Sequence, residues 1–142
     1  MRSGEKSVQR SFRLSGRTVQ LLDAAASAGG ESRNALADRL LGEALRLERH
    51  PLIKFHTGAA GRHQPLLVGT RLYVFQVIST VRASGGDVAA AAAYLGVAAR
   101  LISAAVEYYA QFTDEVDLDT QAAERLEREE RDHWKRHQRA LA

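Results

Sequence analysis

SVQRSFRLSGRTVQLL, residues 7–22, decides how this chain is read. It begins with two-residue alternation: Val8, Phe12 and Leu14 share one parity, Gln9, Ser11 and Arg13 the other. That pattern predicts a half-buried strand. After Ser15 the spacing turns helical, and no second strand follows across a hairpin turn. A lone strand leaves backbone donors and acceptors unpaired along both edges, which is costly. The strand therefore needs a partner from elsewhere, and its polar face needs something to touch.

Working outward, Ser15 is placed to cap a helix over residues 16–28, and Gly29-Gly30 to end it. Ser32 caps a second helix carrying Leu36, Leu40, Leu41, Ala44 and Leu47, which His50-Pro51 stops. This strand-helix-helix unit has more apolar surface than so small a monomer can bury. The first 20 residues also hold Arg2, Lys6, Arg10, Arg13 and Arg17 against Glu5 alone. The whole chain of 142 residues has a net charge of only +3, so a basic patch confined to its start is the footprint of a polyanion partner.

A single alternating strand followed by two amphipathic helices resembles the ribbon-helix-helix family of DNA-binding proteins. The resemblance rests on S-F-R-L-S-x-x-x-V-x-x-L-L (Ser11 to Leu22) and E-S-R-N-A-L-A-D-R-L-L (Glu31 to Leu41). It implies that two chains pair their strands antiparallel about a two-fold axis and lay the ribbon in the major groove of DNA. Gln9, Ser11 and Arg13 match the positions that read bases: Arg suits guanine and Gln suits adenine. Arg10 departs from the pattern, since it shares the apolar parity; at a frayed ribbon end it can swing to phosphate. The first turn of the second helix, at Ser32, Arg33 and Asn34, would offer backbone amides to a phosphate. The blander reading is an edge strand of a mixed fold.

Between residues 51 and 118, Gly58, Gly61, Pro65 and Gly69 punctuate short apolar runs and predict two short strands with turns. Helical spacing begins near Phe75, breaks at Gly85-Gly86, resumes after the capping Asp87, stops at Gly96 and resumes again through AARLISAAVEYYAQF. The last two helices have a helix-turn-helix shape. Here Pro65, Gly69, Thr70, Arg71, Leu72, Val74, Gly85, Tyr108, Tyr109, Glu115 and Asp117 resemble the small bacterial domain that ends many VapB-type antitoxins. That resemblance implies a toxin–antitoxin antitoxin with a PIN-like ribonuclease as partner. The helix-turn-helix offers Arg100 and Glu107 amid alanine, a poor groove reader, which favours a packing or oligomerisation role. Arg71 has two readings: it clamps a carboxylate such as Glu115, or it reaches a partner.

Residues 119–142 contain neither Gly nor Pro and predict a charged helix, with Leu126, Trp134 and Leu141 on a thin stripe and Glu127/Arg131 and Asp132/Arg136 at i, i+4. Its polarity suits docking in a groove, with Trp134 as anchor and Arg128, Arg131 or Arg136 entering the acidic pocket of the implied nuclease. A solvated helix and a dimeric coiled coil are the alternatives. His133 and His137 have metal-compatible spacing but lie among cations, and His50, His56 and His63 lack a carboxylate cluster, so no metal or other cofactor is expected. No phosphate loop and no Ser-His-Asp arrangement is legible, and no enzyme is expected. The absence of cysteine excludes disulfides and thiolate chemistry. MRSGEKSVQR carries no hydrophobic segment, so neither a secretion signal nor membrane association is expected, and the cytoplasm is.

The expected architecture is thus mainly α. A ribbon-helix-helix dimerisation segment (1–50) precedes a β-hairpin plus helix-turn-helix, winged-helix-like domain (51–118), and a charged helix (119–142) follows. The expected function is an antitoxin, a homodimer or higher even oligomer, that binds operator DNA and neutralises a PIN-like ribonuclease toxin. The alternatives are a ribbon-helix-helix transcription regulator with no toxin, and an interaction protein that never binds DNA.

Overall fold

A computed structural model describes residues 5–59 and 61–142. The described chain is mainly helical, with six helices and one small two-stranded antiparallel sheet. It divides into two compact units, Met1–Ala44 and Leu45–Ala142.

The first unit holds α1 (Gly16–Gly29) and most of α2 (Arg33–Arg49). The Ser15 hydroxyl accepts from the Thr18 amide at 3.1 Å, which satisfies an otherwise orphaned helix donor. Gly30 closes α1 with φ 70°, a left-handed angle that costs glycine nothing. The Ser32 hydroxyl caps α2 by accepting from the Ala35 amide at 3.1 Å. Ion pairs brace the helices: Arg33–Asp23 at 2.8 Å and Arg39–Glu31 at 2.9 Å. Among the described residues of this unit only Ala26 and Leu36 are buried, so the helix pair has almost no core of its own.

The second unit begins inside α2 rather than at the expected residue 50. The last turns of that helix belong to it, because Leu47 packs on its core and Arg46 and His50 bond to its later helices. Strands β1 (Ile53–Thr57) and β2 (His63–Leu67) pair antiparallel, with Ile53 opposite Leu67 and Thr57 opposite His63. The G-T-R turn then folds the chain back. Gly69 takes φ 72°, and the Thr70 hydroxyl donates to the Leu67 carbonyl at 2.8 Å while accepting from the Leu72 amide at 3.0 Å.

Three helices follow: α3 (Val74–Ala83), α4 (Val88–Leu95) and α5 (Ala99–Gln111). The Asp87 carboxylate caps α4 by accepting from the Ala90 amide at 3.1 Å, and Gly96 ends it at φ 69°. Helices α4 and α5 meet with a bend of 118°, the expected helix-turn-helix shape. The core gathers Ile53 and Leu67 from the hairpin, Val74, Val77 and Ile78 from α3, Ala91 and Ala92 from α4, and Ile102, Ala105 and Tyr108 from α5.

The last helix, α6 (Thr113–Leu141), starts earlier than the expected residue 119 and contributes Val116 to that core. Its first turn carries Asp114 and Glu115, where the positive end of the helix dipole favours acidic side chains. The acidic run taken as a domain ending is therefore a helix start.

Candidate nucleic-acid interface and the clasp on the last helix

In the first unit, residues 5–15 have no regular hydrogen-bonded structure in the single chain. The expected strand is not formed there, because a strand exists only through a neighbour and this chain supplies none nearby. Its apolar parity is left open to solvent: Val8 is 75% exposed, Phe12 71% and Leu14 54%. Gln9, Arg10, Ser11 and Arg13 are all exposed, as are Lys6 and Arg17; Arg2 lies outside the described residues. The exposure continues onto the helices at Val19, Leu21, Leu40 and Leu41.

The expected phosphate-binding turn is only partly available. The Ser32 side chain is committed to its cap, and Arg33 is held by Asp23. Asn34 is exposed. Each of these side chains has a structural employer or a free surface, and the backbone amides of the first turn are the donors the fold leaves for an anion.

In the second unit, polar side chains converge on the start of α6. Glu115 accepts from the Arg46 guanidinium at 2.6 Å, and Arg46 also lies 4.7 Å over the Phe112 ring. Two residues on, Asp117 accepts from the Tyr109 hydroxyl at 2.8 Å, and Tyr109 in turn accepts from Arg82 of α3. Two residues further, buried Asp119 pairs with Arg62 of the hairpin loop at 3.3 Å and is hydrogen-bonded by the buried Gln64 side chain. Three carboxylates at i, i+2 and i+4 thus tie α6 to α2, to α5 and α3, and to the hairpin.

Burial raises the Asp119 pKa, opposed by the Gln64 hydrogen bond and by Arg62. Burial also drives the Tyr108 hydroxyl well above the ordinary phenol range, against the pull of Arg46. Tyr109 is raised by its bond to Asp117. His50 completes the cluster: its Nε2 lies 2.7 Å from the Gln111 side-chain oxygen, and its ring stands edge-on to Tyr108 at 5.1 Å.

This network corrects one expectation. Glu115 is clamped by Arg46, not by Arg71, which is exposed in the G-T-R turn. Tyr108 and Tyr109 divide their labour: one fills the core, the other bridges Arg82 and Asp117. Sequence reasoning missed Arg46, His50, Gln64, Gln111 and Asp119. For Asp119 a signal existed, since Glu115, Asp117 and Asp119 are evenly spaced; the others carry no local mark of their partners.

Beyond Leu126 every residue of α6 is exposed, Trp134, Arg128, Arg131 and Arg136 included, with Trp134 59% exposed. Arg131 pairs with Glu127 at 3.6 Å, whereas among the described residues no ion pair joins Asp132 to Arg136. The His133 and His137 rings are 6.2 Å apart, and no group of three metal-capable side chains gathers among the described residues. The outer face of α5 shows Arg100, Ser103 and Glu107, and α4 exposes Tyr94. No single helix among the described residues is long and apolar enough to cross a membrane.

Comparison with protein-family models gave no match. Neither a curated protein nor a solved structure matches the chain.

Proposed function

We propose that this chain is the antitoxin of a type II toxin–antitoxin system. Residues 5–50 are completed as a ribbon-helix-helix by a second copy, and the paired strands lie in the major groove of operator DNA. Gln9, Ser11 and Arg13 face the bases; Arg10 and the first turn of α2 at Ser32, Arg33 and Asn34 face phosphates. The second unit and α6 neutralise a PIN-like ribonuclease, with Trp134 as anchor and Arg128, Arg131 and Arg136 directed at its acidic pocket. The reading assigns no catalysis to the chain.

The observation that carries the DNA-binding half is the exposure of Val8, Phe12, Leu14, Val19, Leu21, Leu40 and Leu41 in a unit whose buried residues are Ala26 and Leu36. An apolar surface of that extent on so small a unit calls for a covering partner. A second copy supplies the missing strand edge and the missing core together. The basic side chains on the same short segment then have a polyanion to meet.

The toxin-binding half is supported by α6, a long exposed helix with an aromatic anchor, and by the resemblance of residues 65–117 to antitoxin domains. Co-expression with the product of the adjacent gene, followed by affinity purification through this chain, tests it. Recovery of a ribonuclease whose activity is suppressed in the complex supports the proposal. Recovery of the chain alone, with operator binding intact, supports a stand-alone regulator instead.

A further inference from the structure

We infer that the projecting part of α6 is a pairing surface for the same helix of a second copy, running antiparallel. The inference does not rest on the antitoxin reading.

The face of α6 that is buried on the domain does not end where the domain ends. Val116, Asp119, Ala123, Leu126, Glu130, His133, His137 and Ala140 follow one another in alternating steps of three and four. That is the 3.5-residue repeat of a helix seam. Val116 and Asp119 are buried, Ala123 and Leu126 are half-buried, and the rest of the seam is exposed. So a seam built for a neighbour continues past the neighbour the chain provides.

Charge along the helix chooses the occupant and its direction. Residues 124–132 carry Glu124, Glu127, Glu129, Glu130 and Asp132 against Arg125, Arg128 and Arg131. Residues 133–139 carry Lys135, Arg136 and Arg139, two histidines and no acid. A parallel copy would set each block against itself. An antiparallel copy sets the acidic block of one helix against the basic block of the other, twice over by two-fold symmetry.

The seam also fixes the register. Antiparallel layers place Ala123 opposite Ala140 of the second copy, Leu126 opposite His137, and Glu130 opposite His133. In that register Glu129 on one flank meets Arg136 of the second copy, and Trp134 on the other flank covers Glu127. Charged and polar residues in a seam cost stability but specify one alignment, which is their best-attested use. A docked partner on the same stripe and this pairing exclude one another.

The chain has no cysteine, so introduced thiols report contacts cleanly. Leu126→Cys and His137→Cys versions of the full chain, oxidised alone and as a mixture, give the test. The proposed register brings positions 126 and 137 of different copies into disulfide range and leaves like positions about 16 Å apart along the axis. Cross-linking is expected in the mixture and not in either variant alone. In that cysteine pair, Glu129→Arg should lower cross-linking severalfold, and adding Arg136→Glu should restore it. No cross-linking in the mixture, or equal cross-linking in each variant alone, overturns the proposal. Operator binding and toxin co-purification are separate measurements, so their failure would leave this result standing, and the reverse.

Discussion

Replacing Gly58 with alanine should destabilise this protein in one background and stabilise it in another. A Cβ built on Gly58 falls 2.1 Å from the Gln64 side-chain oxygen and 2.9 Å from its Cδ. Gln64 is buried and holds the carboxylate of Asp119, so it cannot yield without giving up that bond. A hydrogen bond to a charged group contributes about 1.5 to 3 kcal/mol. Gly58 does not use a left-handed backbone angle, so alanine also restricts the unfolded chain, which offsets about 0.4 to 1 kcal/mol. The net cost of Gly58→Ala is about 1 to 2 kcal/mol, or roughly 5 to 15 °C in Tm for a unit of this size. With Gln64→Ala already present there is nothing left to displace. Gly58→Ala should then be neutral or stabilising by up to about 1 kcal/mol. Urea unfolding of the four proteins, followed by circular dichroism, closes the cycle. An equal cost of Gly58→Ala in both backgrounds would refute the Gln64–Asp119 contact as the reason for glycine at this position.

The remaining predictions concern the same unit. Asp119 has a raised pKa in the folded state, so its contribution to stability is fullest below the unfolded carboxylate pKa and is lost as pH rises through the folded value. Asp119→Asn should therefore raise Tm at neutral pH and flatten that part of the stability–pH curve; a lower Tm with the slope intact would count against it. Ile102→Ala removes a fully buried side chain where the hairpin and helices meet and should cost about 2 to 5 kcal/mol in urea unfolding. Arg71→Ala, at an exposed turn position outside the Glu115 clamp, should change stability by less than about 0.5 kcal/mol. A larger loss would mean that Arg71 holds the G-T-R turn.

Local signals were the most legible. Ser15, Ser32 and Asp87 cap their helices, and Gly30 and Gly96 end theirs, because each acts within a few residues of itself in sequence. The hairpin and the helix-turn-helix followed from the same punctuation. What the sequence hid was long-range pairing. Arg46 and Glu115 are 69 residues apart, His50 and Gln111 61, and nothing in the intervening pattern marks them as partners. The start of α6 was misplaced for a related reason: an acidic run resembles a solvated domain ending until a helix N-terminus and three donors explain it. The alternating stretch at residues 7–14 is legible as a pattern, but its hydrogen bonds belong to a second chain, so one chain cannot display them.

The central claim is that this segment, paired with its twin, grips DNA. A gel shift of the full chain on the DNA just upstream of its own coding sequence, at low and at high salt, tests it most directly. The account predicts a two-copy complex whose affinity falls steeply with salt and is weakened by about 1 to 3 kcal/mol for each copy of Arg13 replaced by alanine. No shift at low salt, or a shift indifferent to both salt and Arg13, would contradict it.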